Sequence, residues 1–246
     1  MDKMLYVAMT GAKETLRAQA ANSHNLANAN TTGFRADLSA FQSRAVTGPG
    51  FASRVYATHS STGWDDTTGA QISTGRNLDV AIKGKGFIAV ADHDGNEAYT
   101  RAGDLHIDPS GELMTATGHQ VLGDGGPISI PPNQSLSIAP DGTISIVGLG
   151  QTPNTTANVA RIKLVNAPST SFERGADGLF RASDGSQLSS DASVQLASGA
   201  LESSNVNAAD AMMTMIELSR RFELQVKAMR TVEDDGASST KLLQTE

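Results

Sequence analysis

The two ends of the chain carry the same helical periodicity, and this feature most restricts how it can fold. From Lys3 to Asn30 there is no proline, and hydrophobic or small residues recur at alternating spacings of four and three, as in a coiled coil. The stripe consists of Leu5, Met9, Ala12, Leu16, Gln19, Ser23 and Leu26. At about 1.5 Å per residue such a helix would be roughly 42 Å long, and so thin a stripe cannot stabilise it alone. The helix therefore needs a partner.

The C-terminal segment supplies a matching stripe. Its members follow the same spacing and are Ala208, Ala211, Met215, Leu218, Phe222, Gln225, Met229 and Val232, with Met212, Ile216 and Val226 widening it on one side. Asn207 is placed to cap the start of this helix, and Gly236 is expected to end it. We expect the two helices to pair as a coiled-coil-like layer; an ordinary core helix is the alternative for the second segment.

Between the two helices the composition changes to that of β structure. Residues 36–75 are rich in Ser, Thr and Gly and predict an extended connector that could include one hairpin. Seven short β-like runs follow, at 78–82, 87–91, 105–107, 128–130, 136–139, 143–147 and 159–165, with Asp-Gly pairs suited to tight turns among them. The predicted fold class is α+β. Its domains are an N-terminal helix (1–35), the connector (36–75), a central all-β domain (76–196) and a C-terminal helix (197–246).

Composition and charge exclude several kinds of partner. The 246 residues carry a net charge of −7, and the 19 basic residues are scattered, so we expect neither nucleic acid nor anionic membrane as a partner. There is no cysteine and no run of eighteen apolar residues, so disulfides and membrane insertion are not expected. Ala18-Gln19-Ala20 matches a signal cleavage pattern, but Lys13 and Arg17 interrupt the apolar run before it. We expect the segment to stay uncleaved.

Catalytic and ligand-binding patterns are weak. His93 lies beside acidic residues in Asp92-His93-Asp94-Gly95, but the other ligands of a calcium loop are missing, and a turn is the better interpretation. Gly84, Gly86 and Ala89 match a dinucleotide motif, yet a strand-like run follows where phosphate binding needs a helix N-terminus. The sequence therefore predicts no enzyme, no cofactor, no metal and no small-molecule substrate.

Motifs at both ends and in the middle together resemble one known family. The N-terminal motif is Asn25-Leu26-Ala27-Asn28 followed by Thr32-Gly33-Phe34-Arg35, and the C-terminal motif runs from Gly199-Ala200-Leu201-Glu202 to Asn205-Val206-Asn207. The middle matches through residues 78–87 and 99–103. The chain resembles the axial proteins of the bacterial flagellum, the family of rod and hook subunits, over nearly its whole length. Within it, residues 1–3, 6–12, 33–36, 125–128 and 177–181 are similar to proximal-rod subunits, with distal-rod subunits as the alternative.

The resemblance implies a structural subunit that polymerises with copies of itself and with other rod proteins and transmits torque. It also implies export by the flagellar type III apparatus without a cleaved signal, and a place in the periplasmic basal body. The residues expected at the assembly interface are Leu5, Met9, Ala12, Leu16, Asn22, Asn25, Leu26, Asn28, Gly33, Phe34, Asn205, Val206, Met215, Leu218, Phe222 and Met229.

The asparagines in this set raise a separate question. Asn22, Asn25 and Asn28 recur every three residues, so their amides lie on one helix face and could bond sideways to neighbouring helices of a tube. Polar fraying at the end of a helix is the alternative explanation. Gly33 is expected to stop the helix in the left-handed conformation.

A competing function is a secreted β-rich binding module, such as an adhesin or carbohydrate binder, with helical ends for oligomerisation. Such a module should expose an aromatic cluster. Trp64 is the sole tryptophan and has no aromatic neighbours in the sequence, which disfavours this alternative.

Overall fold

The computed structural model describes residues 2–45, 55–151 and 155–243, and in these residues it contains two long helices and a series of short strands. The helices are α1 (Asp2–Ala27) and α2 (Ala208–Leu243). The strands are β1 (Asp37–Ala45), β2 (Val55–Trp64), β3 (Gln71–Ser73), β4 (Val80–Lys83), β5 (Phe87–Ala91), β6 (Glu97–Thr100), β7 (Leu105–Ile107), β8 (Leu113–Thr115), β9 (Gln120–Gly123), β10 (Gly126–Pro127), β11 (Asn133–Ile138), β12 (Thr143–Gly148), β13 (Ala157–Arg161), β14 (Leu164–Val165), β15 (Phe172–Arg174), β16 (Phe180–Ala182), β17 (Gln195–Ser198) and β18 (Ala200–Glu202).

The chain divides into two compact units. The terminal unit consists of residues 1–29, 36–65 and 206–246, and the β unit consists of residues 30–35 and 66–205. The predicted fold class, α+β with paired terminal helices and a central β region, is confirmed. The boundaries predicted at 35, 75 and 196 stay a prediction.

In the terminal unit, α1 and α2 pack against each other in opposite directions. The side chain of Asn22 reaches the carbonyl of Ala211, while Gly11, eleven residues earlier, faces Gln225. The buried positions along α1 are mostly small, namely Ala8, Ala12, Thr15 and Ala18. Small side chains at the buried positions of a helix let neighbouring elements approach it closely.

The start of α2 follows the sequence prediction, but its end does not. The side chain of Asn207 accepts the backbone N–H of Ala209 at 3.0 Å, which is the expected cap. The prediction that Gly236 ends the helix is wrong, since α2 continues to Leu243. A glycine inside a helix costs only about 1 kcal/mol relative to alanine, and the helix-compatible residues after it continue the hydrogen bonding.

The connector forms one hairpin, in which β1 pairs antiparallel with β2 and α1 packs against both strands. Most side chains of β1 are exposed on both faces. Residues 46–54, which include the predicted β-like Arg54, lie outside the described residues. An edge-exposed two-stranded ribbon is marginal by itself, so α1 is an essential part of its support.

The β unit contains several antiparallel sheets around one core. The largest sheet has the strand order β15-β16-β6-β5-β9-β8-β7, with β10 paired to β9 and β14 paired to β5. Smaller sheets are β11-β12-β13, β17-β4 and β18-β3. Alternating residues of these strands form the core, in which Val80, Ile88, Leu105 and Ile144 are fully buried.

Six of the seven predicted β runs contain a strand. The run at 128–130 is the exception: Ile128 and Ile130 are buried, but only an isolated bridge from Ser129 to Glu112 forms there. Pro127 and Pro131 flank this run, and proline cannot donate a ladder hydrogen bond. The dinucleotide-like glycines at 84 and 86 both have positive φ and lead into strand β5, as expected for a tight bend.

Candidate assembly surfaces

The terminal unit exposes many large apolar side chains. They are Met4, Leu5, Tyr6, Val7, Met9 and Leu16 on α1, Leu38, Phe41 and Val55 on the hairpin, and Met212, Met213, Ile216 and Leu224 on α2. The run 4–7 is consecutive, and successive helical residues point about 100° apart, so it covers every side of the first turn. One partner helix cannot cover such a surface. Several neighbours are needed.

The structure divides the predicted apolar interface residues into two groups. Ala12 and Leu218 are buried inside the chain, whereas Leu5, Met9 and Leu16 are exposed. These three lie about 60–100° around α1 from the buried Ala8, along one flank of the seam. The remaining apolar members of α1 and α2 are half-buried: Leu26, Met215, Phe222 and Met229. The leucine stripe is therefore open to another chain.

The three asparagines on α1 are engaged within the chain. Asn22 donates to the carbonyl of Ala211 in α2 at 2.7 Å. Asn25 makes two bonds with the backbone of Asp37, donating to its carbonyl at 3.0 Å and accepting its N–H at 2.8 Å. Asn28 donates to a carbonyl in the last turn of α1 at 2.9 Å. The bonds of Asn22 and Asn25 fix the end of α1 against α2 and against the first residue of β1, so polar fraying does not describe these two. Asn28 lies one residue past the end of α1, and its bond returns to the His24 carbonyl.

The motif that follows α1 belongs to the β unit. Gly33 is buried with φ of +67°, and a Cβ there would lie 2.4 Å from a neighbouring backbone carbonyl carbon, so only glycine fits. Phe34 is buried, and the guanidinium of Arg174 lies 4.3 Å from the centre of its ring. The N–H of Asn205 donates to the carbonyl of Phe34 at 3.3 Å, and Val206 is half-buried in the terminal unit. Gly33 and Phe34 thus act inside the chain. The expectation that Gly33 stops the helix is wrong, because α1 ends at Ala27 and the Gly33 N–H donates to the Glu202 carbonyl at 2.8 Å.

Sequence reasoning missed a buried ionic cluster in the β unit. Arg35, Arg101 and Glu202 are each at most 3% exposed, and both arginines contact the one carboxylate. Two of the three residues stand in the end motifs themselves. Charged residues next to the apolar members of those motifs were the available signal, because a charge kept in a buried segment needs a partner.

A second buried carboxylate lies in the terminal unit. Glu14 of α1 accepts the backbone N–H of His59 in β2 at 3.2 Å and lies 3.0 Å from Arg17. Burial acts to raise the pKa of the Glu14 carboxyl, but the His59 and Arg17 hydrogen bonds outweigh it and the pKa is lowered. Glu14 is therefore ionised at neutral pH and links α1 to the hairpin.

Comparison with known proteins was made by family models and by individual relatives. Three family models match: flagella basal body rod protein over residues 5–35, flagellar hook protein FlgE/F/G D1 domain over residues 81–146, and flagellar basal body rod FlgEFG protein C-terminal over residues 197–242. The flagellar basal-body rod protein FlgF of Escherichia coli (strain K12) is 44% identical over 249 residues, covering 99% of both chains. FlgF of Salmonella typhimurium gives the same identity and coverage. The chain belongs to the flagellar basal-body rod protein family.

Membership of the rod family confirms the predicted structural, non-enzymatic role and the place in the flagellar basal body. It also sets aside the secreted binding module. FlgG of Bacillus subtilis is 34% identical over 258 residues, covering 95% of this chain and 96% of the relative, so the rod family extends to both subunit types. Within the described residues, neither helix is long and apolar enough to span a membrane.

Proposed function

We propose that this rod-family chain is a subunit of the proximal rod that polymerises with copies of itself and with other rod proteins. The higher identity to FlgF of Escherichia coli and of Salmonella typhimurium, 44% in each case, than to FlgG of Bacillus subtilis, 34%, supports the proximal position. The rod transmits torque by being stiff. Export through the flagellar type III apparatus without a cleaved signal, and residence across the periplasm, belong to the same proposal.

The observation that carries the proposal is that the terminal helices bury small residues and expose large apolar ones. The residues that α1 buries are mostly small, such as Ala8 and Ala12, while many large apolar residues of both helices are exposed; Met4 is 62% exposed and Ile216 is 56% exposed. Contiguous exposed apolar surface of this kind marks protein interaction sites. Helices that bury alanine and expose methionine are suited to assembly with other chains.

The energetics of assembly agree with this arrangement. A stable contact buries more than about 1,000 Å² in total, and apolar burial contributes about 25 cal/mol per Å². Ordering of side chains and loss of free motion of the subunit consume much of that gain. Heterologous contacts of the same two surfaces, repeated from subunit to subunit, produce an open helical polymer, which is what a rod requires.

Substitutions on α2 test the proposal. Ile216→Asp places a charge on the exposed flank and should leave the free chain folded while blocking incorporation into rods, because the charge would be buried without a partner in the assembly. Thr214→Asp, at an exposed polar position of the same helix, controls for added charge. Far-ultraviolet circular dichroism of the free chain and immunoblots of purified basal bodies provide the two measurements. Normal incorporation of Ile216→Asp would overturn the assembly surface.

Leu218→Asp and Phe222→Asp should also block incorporation, but for a different reason. Leu218 is 5% exposed, so its substitution disrupts the α1–α2 pair within the chain as well. A loss of helical signal with Leu218→Asp and none with Ile216→Asp would separate the inner seam from the outer surface. The distal-rod alternative is tested by locating tagged chains in a cryo-EM map of the basal body.

A further inference from the structure

The backbone passes between the two units at four points, after Ala29, Arg35, Asp65 and Asn205. On the β-unit side, the segments that adjoin the last three of these points are 30–35, 66–69 and 202–205. All three segments meet inside the β unit at one buried carboxylate, that of Glu202, which is 1% exposed. We call these three the crossing segments.

Both oxygens of Glu202 are occupied. Arg35 Nη2 lies 2.8 Å from Oε1, and the backbone N–H of Gly69 donates to the same oxygen at 2.9 Å. Arg101 Nε donates to Oε2 at 2.8 Å, and Arg101 Nη2 lies 2.7 Å from it. Each crossing segment therefore contributes at least one group to the contacts of a single side chain.

Arg101 connects this centre to the sheet. Its Nη2 donates to the carbonyl of Gly84 at 2.8 Å, and its Nη1 donates to the carbonyl of Gly86 at 2.9 Å. Those carbonyls lie in the bend between β4 and β5, two strands that are buried along most of their length. The carboxylate is thus held on one side by the bend and on the other by Arg35.

Further bonds join the crossing segments to each other. The N–H of Gly33 donates to the Glu202 carbonyl at 2.8 Å, and Arg35 Nη1 donates to the carbonyl of Thr67. The side chain of Asn205 donates to the same Thr67 carbonyl at 3.0 Å. Two guanidinium groups share one carboxylate here, and burial, together with the positive charge of Arg101, lowers the pKa of Arg35. Loss of the carboxylate would leave two buried cations facing each other.

We propose that Glu202, held between Arg35 and Arg101, is the clasp that positions the crossing segments on the β4–β5 bend. Any force transmitted along the backbone between the two units enters the β unit at the four points where the backbone crosses. The clasp anchors the segments that adjoin three of these four points. Arg35 and Glu202 are in this view positioning residues for the crossing segments and make no contact with a neighbouring subunit themselves.

The charge imbalance at the clasp decides which variant tests it. Glu202→Gln leaves two unpaired arginines and is expected to unfold much of the β unit. Arg35→Met leaves one arginine with one carboxylate, a balanced pair still attached to the bend. It removes the Arg35 bonds to Glu202 and to the Thr67 carbonyl, while the backbone N–H bonds of Gly33 and Gly69 to Glu202 remain. Arg35→Met is therefore the discriminating variant.

Hydrogen exchange of the full-length free chain, read by mass spectrometry, measures the effect. In Arg35→Met the amides of residues 30–36 and 66–70 should exchange about tenfold faster or more, as for the loss of a charged hydrogen bond, while β5 and β6 stay within about twofold. Arg35→Lys, which keeps the charge, should restore part of the protection. The control is Arg161→Met, which removes a 2.9 Å bond to the Asp141 carbonyl elsewhere in the β unit and should leave the crossing segments unchanged.

Two results would overturn the clasp. One is unchanged exchange of the crossing segments in Arg35→Met. The other is equal acceleration throughout the β unit, which would give Arg35 only a general stabilising role. Both can be read in the free chain, so they do not depend on the proposed rod function.

An experiment in cells tests the consequence of the clasp for swimming, and it rests on the proposed function. Cells carrying Arg35→Met should incorporate the subunit but lose swimming speed in viscous medium more steeply than cells carrying Arg161→Met. Equal loss in both would contradict the anchoring role of the clasp. Absence of the unaltered chain from purified rods would instead contradict the proposed function.

Discussion

The two units differ in what they bury. The β unit places its large aliphatic residues inside, and Val80, Ile88 and Ile144 are entirely shielded from water. The terminal unit buries alanines such as Ala8 and Ala12 and exposes methionine, leucine and isoleucine along both helices. Because apolar burial is the main favourable term in folding, the β unit contains its own driving force and the terminal unit depends on further partners for most of its own.

The difference follows from the residue patterns. Short strands alternate apolar and polar residues, and tight turns bring neighbouring strands into register, so a β core closes within one chain. A long helix with apolar residues around more than one face cannot cover them with a single partner. Self-sufficient and assembly-dependent regions therefore coexist in one chain, each specified by its own periodicity.

The largest expected effect compares two isoleucines. Ile88→Ala, fully buried in β5, should lower the free energy of unfolding of the β unit by about 2–5 kcal/mol, through lost burial and a cavity. Ile216→Ala, on the exposed flank of α2, should change stability by less than about 0.5 kcal/mol. Urea unfolding followed by circular dichroism checks both. Similar losses at the two sites would break the contrast between the units.

A glycine substitution tests whether the segment after α1 belongs to the closed core of the β unit. Gly33→Ala must adopt positive φ, which costs about 1–2 kcal/mol, and must also displace a backbone carbonyl 2.4 Å from the new Cβ. Gly95→Ala requires a similar φ of +80° but meets open space, so it should show the conformational cost alone. Thermal unfolding of the two variants isolates the steric part. Equal shifts would mean that the close approach of the Arg101 backbone adds no cost and that Gly33 is needed only for its positive φ.

Sequence reasoning located both helices and the strands of six predicted β runs because their periodicities are local, but it did not predict other short strands such as β6, β9 and β17. The stripe on α2, from Ala208 to Val232, identifies the half-buried face of that helix, and Asn207 caps it as predicted. The hairpin was anticipated only as a possibility, because β1 is exposed at most of its residues and neither β1 nor the Ser- and Thr-rich β2 has a regular alternation of apolar and polar residues. Helix continuation past Gly236 was missed because a single glycine is only a weak helix breaker.

The candidate site was harder to predict because its contacts are far apart in sequence. The spacing of Asn22, Asn25 and Asn28 placed them on one face, but nothing local shows that two of these amides bond to the backbone of α2 and of β1. Arg101 and Glu202 are separated by a hundred residues, and pairing at such a distance is set by the sheet topology. The sequence therefore identified the residues of the end motifs as important without distinguishing interface from core.

Acid should act on the polar ties of the β unit. Arg181 donates hydrogen bonds to both Asp177 and Asp92. Its bonds lower the pKa of the Asp177 carboxyl. At Asp92 burial raises the pKa, but the bonds from Arg181 and from backbone N–H groups outweigh burial, so the pKa of Asp92 is lowered as well. Carboxyls with a pKa below their unfolded value of about 3.9 stabilise the fold above that pH, and this stabilisation is lost as the pH falls through the folded pKa.

Removal of the Arg181 bonds should therefore weaken the pH dependence of stability in acid. Arg181→Met is expected to weaken the β unit at pH 7 and to reduce the further loss between about pH 4 and pH 2, in urea midpoints measured across that range. Asp94→Asn, an exposed carboxyl in the turn beside Asp92, provides the control. If Arg181→Met loses as much stability in acid as the unaltered chain, other carboxyls determine the pH dependence.

The smallest effects are expected for alanine substitutions of two helix glycines in the terminal unit. Gly236→Ala meets open space in α2, so it should stabilise the helix by up to about 1 kcal/mol through helix propensity. Gly11→Ala gains the same propensity, but its Cβ would lie 3.0 Å from the Gln225 side chain, which must move and so cancels part of the gain. Helical signal of the free chain against temperature measures both. A larger gain at Gly11 than at Gly236 would mean that the α1–α2 seam is open in the free chain and closes only in the rod.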